Sequence, residues 1–574
     1  MCMTHQQTFV TVPLREQIAE LLRAGLRAVQ TAGALPAFDI PEIIPVDQSR
    51  HEAHGDYASP VCMGLAKVLR RAPLQIAQVV AQYIPAADFI VRVEVAPPGY
   101  LNFTLSTDWV ARQVPVILEA GEAWGNVALG AGRRAQVEFV SANPTGPITI
   151  GSARNAVIGD TLAAVLAAAG YAVEREYYVN DAGSKVRNFG ASILSRYAAL
   201  FGEDIPFPEQ GYPGAYVTDL AQRARETFGD RYLKEERASA IRALGLWGIA
   251  RILDSVRDDL AQLRVHFDNW FSEKSLYESG LFDAMMAKLR AGGYIVEYDG
   301  ATWFRHPDLE KDAVLIRSPQ VIPDPEDRPT YLASDIPYLW NKLVERGFDK
   351  AIYVWGADHH GDVPRVQAAA KALGVDVNRL VFIIYQMVTL LRGGQEVRMS
   401  KSSGEFVTLR ELVDEVGPDP IRFMMLTRTV DVTLDFDLDL AVEQSDRNPV
   451  YYVQYAHTRI AGVLRKAIEE GCDLDAPGDP ALLTHPSELA LIRKMLALPE
   501  VIALAASSMS PHYLTFYATE LASLFHAFYR DCRVVSTLPE DAALTQARLM
   551  LARAAQHVLA RVLHLMGMDA PERM

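Results

Sequence analysis

The sequence predicts an α/β protein built on a doubly wound parallel sheet, with a smaller α/β module before it and an all-α helical bundle after it. Three observations predict this. Residues 136–179 run as a strand pattern (Gln136-Val-Glu-Phe-Val-Ser), a Pro/Gly-rich turn (Asn143 to Gly151), a helix pattern (about Ser152 to Ala169) and a second strand pattern (Ala172 to Val179). That is a βαβ unit. Strand-like runs return at Ala351-Ile-Tyr-Val-Trp and Leu380-Val-Phe-Ile-Ile after a long helical stretch. From Asn448 onward Ala and Leu recur at helical spacing without a strand pattern. A sheet of this kind, Rossmann-like in its winding, gathers ligands at the carboxyl ends of its strands.

In chain order, residues 13–33 carry an amphipathic helix pattern (Ile18, Leu21, Leu22, Leu26, Val29) stopped by Gly33 and Pro36. A second helical stretch is expected over about Met63 to Tyr83, then strands at Phe89 to Val95 and Tyr100 to Leu105 around Pro97-Pro98-Gly99. The helix after the Gly-rich turn ends at Gly170, a suitable residue just past a helix C-terminus. The expected units are 1–118 (α/β module), 119–445 (parallel-sheet domain with a mainly helical insertion at about 186–290) and 446–574 (helical bundle).

A length of 574 residues suits about three or four domains. No apolar run reaches the ~18 to 20 residues of a membrane helix, and the N-terminus lacks an apolar signal-type core. The expectation is a cytoplasmic protein with no membrane partner. Four cysteines, Cys2, Cys62, Cys472 and Cys532, lie far apart, which speaks against a CxxC zinc site and a disulfide framework. No structural zinc and no other bound metal are expected. The net charge of −15 does not exclude a nucleic-acid partner, because a polyanion meets one surface and not the average.

Gly146 and Gly151 in the turn allow close backbone approach, and the helix that follows aims free N–H groups at the same spot, an anion site. The whole string Val137-Glu-Phe-Val-Ser-Ala-Asn-Pro-Thr-Gly-Pro-Ile-Thr-Ile-Gly-Ser resembles the first signature of class I aminoacyl-tRNA synthetases, in the form arginyl enzymes carry. That family cradles ATP phosphates here and usually has His-hydrophobic-Gly-His, whose histidine positions fall on Thr149 and Ser152. Both hydroxyls donate hydrogen bonds, but neither carries positive charge. Losing such a donor to the transition state costs about 3 kcal/mol. The expectation is that the hydroxyls and backbone suffice.

Arg398-Met-Ser-Lys-Ser-Ser-Gly, some 250 residues later, resembles the second class I signature. Lys401 on a Ser/Gly loop suits a cation that moves onto the pyrophosphate leaving group. The resemblance implies catalytic roles for Thr149, Gly151, Ser152 and Lys401. It implies ATP contacts at Pro144, Thr145, Gly146, Pro147 and Gly151 on the turn. Further contacts fall on Gly356, Asp358 and Met387 near the adenosine, and on Met399, Ser400, Lys401 and Ser402 in the mobile loop.

A guanidinium is planar and always charged, so a selective pocket offers a carboxylate fork and flanking acceptors. Residues matching the arginyl pattern are Glu138, Ser141 and Asn143, Tyr331 and Asp335 at i and i+4 on one helix face, and His359 in Trp-Gly-Ala-Asp-His-His-Gly. The resemblance implies that Asp335 meets the guanidinium beside Tyr331. Glu138 and Asn143 serve the α-amino and carboxylate end or the pocket wall, and His359 helps orient the substrate. Further matches are His54-Gly-Asp-Tyr-Ala, Tyr177-Tyr-Val-Asn-Asp-Ala-Gly, Phe267-Asp-Asn-Trp-Phe-Ser-Glu and Asn448-Pro-Val-Tyr-Tyr-Val-Gln-Tyr-Ala-His, so the resemblance spans nearly the whole chain.

What it implies is arginine–tRNA ligase activity with ATP and Mg²⁺, tRNA(Arg) and L-arginine as partners, and a monomer with no obligate protein partner. Tyr451 and Tyr455 are candidate stacking residues for RNA, and Lys466 and Arg493 candidate phosphate contacts. The alternative is a non-catalytic tRNA-binding paralogue, supported only by Thr149 and Ser152. A class I synthetase for another amino acid, lysine first, is disfavoured by the Tyr331/Asp335 pair.

Overall fold

The computed structural model of the chain describes residues 9–49, 51–397 and 407–574. The first unit comprises α1 (Leu14–Thr31), β1 (Asp47–Gln48), β2 (Tyr57–Ser59), α2 (Val61–Leu69), α3 (Pro73–Ala81), β3 (Ile90–Ala96), β4 (Tyr100–Leu105) and α4 (Thr107–Ala120). Ile18, Leu22, Leu26 and Val29 form the buried stripe of α1, as their helical spacing requires. The single helix expected over 63–83 is two. Arg70 turns left-handed (φ 51°) after α2, and Pro73 opens α3 where its missing N–H has no helical partner to lose. The strands pair antiparallel in the order β1-β2-β4-β3.

The sheet domain follows as β5 (Arg134–Glu138), α5 (Ile150–Ala168), β6 (Ala172–Val179), α6 (Ser184–Ala199), α7 (Ala215–Phe228), α8 (Arg231–Lys234), α9 (Arg237–Gln262), β7 (Asn269–Ser272), α10 (Lys274–Glu278) and α11 (Leu281–Ala291). It continues with β8 (Ile295–Tyr298), β9 (Ala301–Phe304), β10 (Ala313–Ile316), α12 (Tyr331–Trp340), β11 (Lys350–Gly356), α13 (Val363–Ala372), β12 (Leu380–Tyr385), β13 (Val388–Arg392) and β14 (Gln395–Glu396). After the undescribed 398–406 come α14 (Leu409–Val416), α15 (Pro418–Met424), β15 (Leu434–Asp437) and α16 (Leu438–Val442).

The central sheet is parallel throughout, in the order β12-β11-β5-β6-β7. Strand order reverses between β5 and β11, and the crevice outside their carboxyl ends is the natural ligand site. α5 packs tightly on the sheet, because a Cβ at Gly159 would stand 2.2 Å from Phe139 Cγ. The stretch 186–290 is mainly helical, with one strand in it. β7 lies inside it yet pairs with β6 as a sheet edge, and past its end β8–β10 form a separate antiparallel sheet.

The last unit is helical: α17 (Pro449–Glu469), α18 (Pro486–Leu496), α19 (Leu498–Ser507), α20 (Tyr513–Asp531) and α21 (Ala542–Leu565). It meets the first unit through an Asp56–Arg493 ion pair (2.6 Å), a hydrogen bond from the Tyr57 hydroxyl to Glu500 (2.9 Å) and one from Trp124 Nε1 to the Met495 carbonyl (3.0 Å). It meets the sheet domain through Arg422. That fully buried guanidinium pairs with Asp160 on α5 and donates to the carbonyls of Leu263 and Met566. Among the described residues no helix is long and apolar enough to cross a membrane.

Candidate active site

β5 ends at Glu138, and the chain then turns through two non-glycine residues in the left-handed region, Val140 (φ 63°) and Ser141 (φ 42°). For a β-branched valine this is costly backbone, of the kind that persists where surroundings over-determine it. Here Asn155 on α5 accepts from the Val140 N–H (2.7 Å) while its amide donates to the Val354 carbonyl (2.9 Å), and Ser141 Oγ accepts from the Tyr178 N–H (3.1 Å). The strained turn is therefore pinned to α5, β11 and β6 together.

Beyond it, Tyr216 of α7 donates to the Thr145 carbonyl (2.7 Å). Thr149 stands in extended backbone at the start of α5 with its hydroxyl making no capping bond. Among the described residues a Cβ at Gly151 would find only Thr149 Oγ1 within 4 Å, at 3.7 Å. The Gly151 N–H, without a backbone partner among the described residues, and the helix dipole suit an anion. Val407 to Leu409 pair with this turn, Ile150 N donating to the Val407 carbonyl and Leu409 N to the Ile148 carbonyl. The two signatures are thus joined at the flank of the second; Met399, Ser400, Lys401 and Ser402 lie outside the described residues.

Across the crevice, Glu138, Glu273 and Asp335 all act on the buried hydroxyl of Tyr178. Their charges are not equally spent. Glu138 is met by Lys342 Nζ at 2.5 Å, a fully buried lysine lying over the rings of Tyr338 and Tyr353 at 3.8 Å, and by Ser141 Oγ at 3.3 Å. Glu273, just after β7, accepts from Ser334 (2.7 Å); its Oε2 and the Tyr178 hydroxyl are buried near each other without any other hydrogen-bond partner among the described residues. Burial pushes the Glu273 carboxyl up to about 6; Asp181 adds to this, while Ser334 and Lys185 oppose it. Burial, reinforced by Glu138 and Glu273 and opposed by Lys342, holds Asp335 well above the usual carboxylate range, and no hydrogen bond or ion pair among the described residues engages it.

Tyr331, 57% exposed at the start of α12, is bridged to Asn143 by Lys185, whose Nζ donates to Asn143 Oδ1 (2.6 Å) and to the Tyr331 hydroxyl. Lys185, Glu273, Thr330, Tyr331 and Ser334 line a cavity of about 140 Å³. It adjoins an open cleft of about 680 Å³ that shares Tyr331 and Arg317 and reaches Trp303, Asp362 and Arg365. His359 Nδ1 lies 3.3 Å from Asp362, on the side of Gly356 and Asp358. Met387 is exposed at the end of β12.

Glu138 and Ser141 meet at the end of β5 (3.3 Å), Lys185 bridges Asn143 and Tyr331, and Asp335 follows Tyr331 one turn along α12; of these, Tyr331 lines the cavity. Sequence reasoning missed Lys185, Glu273, Ser334 and Lys342. The quoted strings stop just short of Lys185 and end on Glu273, so a signal existed for those two; nothing in the sequence marks Lys342.

Three family models match the chain: an arginyl tRNA synthetase N terminal domain at residues 16–105, a class I (R) tRNA synthetase catalytic domain at 207–453 and a DALR anticodon binding domain at 453–574. An arginine–tRNA ligase of Dehalococcoides mccartyi is 46% identical over 563 residues, covering 98% of this chain and 99% of the relative. The chain belongs to the arginine–tRNA ligase family. The ligase of Heliobacterium modesticaldum is 44% identical over 98% of this chain and 99% of its own. The Thermus thermophilus arginyl-tRNA synthetase structure superposes with a TM-score of 0.74 at 24% identity, over 98% of this chain and 100% of that one, a likeness of fold.

On α17 the rings of Tyr451 and Tyr455 stack (5.7 Å, 9°), and Arg459 lies over Tyr455 (4.7 Å) and Tyr529 of α20 (5.2 Å). This ladder, on a unit matching an anticodon-binding domain, includes Arg459 and Tyr529, which the sequence reading lacked. Arg493, a candidate phosphate contact, is paired with Asp56 at 2.6 Å.

Proposed function

We propose that the chain activates L-arginine with ATP and transfers the arginyl group to the 3′ end of tRNA(Arg). The observation that carries this is a pair of carboxyls, Asp335 and Glu273, both held above the usual carboxylate range around the Tyr178 hydroxyl with no ion pair to either among the described residues, together with the start of the α5 helix that follows the carboxyl end of β5. A substrate with two cationic groups answers the acids, and a polyphosphate answers the helix. Asp335 takes the guanidinium beside Tyr331, and Glu273 takes the α-amino group. Glu138, its charge spent on Lys342, serves as pocket wall with Ser141 and Asn143. His359 orients the substrate from the nucleotide side.

ATP lies with its phosphates over Pro144 to Pro147 and Gly151 and its adenosine along Gly356, Asp358 and Met387. Mg²⁺ arrives with ATP, held by phosphate oxygens and water. The arginine carboxylate attacks the α-phosphorus, the bond to pyrophosphate breaks, and arginyl-adenylate forms. A terminal ribose hydroxyl of the tRNA then attacks the arginyl carbonyl and AMP leaves. Thr149, Ser152 and the Gly151 N–H stabilise charge on the phosphate, and Lys401 with Met399, Ser400 and Ser402 serves the leaving group. The tRNA lies across a bundle beginning near 446, with Tyr451 and Tyr455 as stacking posts. A division near 118 and 445 and a cytoplasmic monomer complete the reading. Incubation of the full chain with ATP, Mg²⁺, total tRNA and labelled arginine or lysine tests it. Charging with arginine alone is expected; charging with lysine, or with neither, contradicts it.

A further inference from the structure

Arg154, two residues beyond Ser152 on α5, is fully buried. Its guanidinium is spent on backbone: Nη1 donates to the carbonyls of Gln386 (2.7 Å) and Val432 (2.9 Å), and Nη2 to that of Thr429 (2.9 Å). Burial lowers its pKa and Tyr385 and Asp431 offset this only in part, so a cation whose hydrogen bonds all go to carbonyls is costly. A planar fork gripping three carbonyls returns geometry. What it fixes is the segment leaving β12. Gln386 N donates to the Val430 carbonyl, and the Met387 carbonyl accepts from Leu434 N. The Met387 N–H has no partner among the described residues, and its side chain is 63% exposed. Tyr385, the residue before this segment, pairs in register with Gly356 and reaches the Gly151 carbonyl (3.4 Å).

We propose that Arg154 is a positioning residue for ATP: it sets the spacing between the phosphate-facing start of α5 and the backbone edge at Met387 that receives the purine. The inference rests on the ATP reading of this crevice. Its consequence is specific. A ligand carrying both a purine and a polyphosphate feels the spacing, whereas either fragment alone does not.

Arg154→Lys keeps the charge and loses the fork; Arg154→Ala loses both and leaves room for added guanidinium ion. In the full chain, affinities for Mg-ATP, adenosine and tripolyphosphate are measured by competition against a fluorescent adenine nucleotide, with arginine binding alongside. For Arg154→Lys, ATP affinity is expected to fall about tenfold, with both fragments and arginine changed less than about twofold. Guanidinium ion should restore part of the loss in Arg154→Ala. Equal losses for ATP and its fragments, or an unchanged ATP affinity in folded protein, would overturn the proposal. If neither variant folds, Thr429→Gly with Val432→Gly loosens the gripped segment while retaining Arg154, and the same contrast decides. A parent chain that binds ATP but does not charge tRNA sinks the proposed function and leaves this test intact. A parent chain without ATP affinity overturns both.

Discussion

Asp335→Asn separates the roles of the three pocket carboxylates. Asparagine keeps the volume and one acceptor and removes the charge. At roughly 4 Å and an effective dielectric of about 20, two unit charges attract by ~4 kcal/mol, and a hydrogen bond to a charged group contributes about 1.5–3 kcal/mol. Glu138 does not substitute, because Lys342 already neutralises it at 2.5 Å. A loss of about 3 kcal/mol follows, which is roughly a hundredfold rise in the arginine requirement at tenfold per 1.4 kcal/mol. The ATP requirement should stay within about threefold. Aminoacylation of tRNA, with arginine and then ATP varied, measures both. Stability should move the other way. Burial raises the folded-state pKa of Asp335, so its ionised form costs stability once pH rises above the unfolded value. The urea midpoint of the variant at neutral pH should therefore match or exceed the parent's. Equal rises in the two requirements, or an arginine effect below about fivefold (~1 kcal/mol), would refute the assignment of the guanidinium to Asp335.

Glu273, raised to about 6 from 4.5, holds a proton between those values that the unfolded chain has released, so its contribution to stability falls as pH rises through that window. It is ionised above about 6, and the arginine requirement should climb as pH drops below that; Glu273→Gln should abolish this dependence in a pH series of arginine KM. Lys342→Met strands Glu138 in the interior and should destabilise by roughly 3–5 kcal/mol in urea, with Glu138→Gln added recovering most of it. Tyr455→Ala should weaken tRNA binding by about 1–3 kcal/mol in filter binding while leaving the ATP and arginine requirements unchanged.

The sheet topology was legible because β5, the Gly-rich turn, α5 and β6 are local and strongly patterned, and Gly170 (φ 85°) marks the helix end as expected. β7 and β8 to β10 were not, since four-residue strands in a helical neighbourhood carry too few alternations to outweigh it. The break at Arg70 depends on a left-handed residue that is not glycine. In the site, Tyr331 and Asp335 were readable from their helical spacing. That Glu138 is neutralised and Glu273 is not was unreadable, because the difference lies in Lys342, 204 residues from Glu138, and in burial that only the folded chain creates.

The central claim is that this crevice activates arginine with hydroxyls at 149 and 152. ATP–pyrophosphate exchange with each of the twenty amino acids, with and without total tRNA, tests it most directly. Exchange with arginine alone is predicted. No exchange with any amino acid by a chain that still binds tRNA would contradict it and leave a tRNA-binding protein without synthetase chemistry.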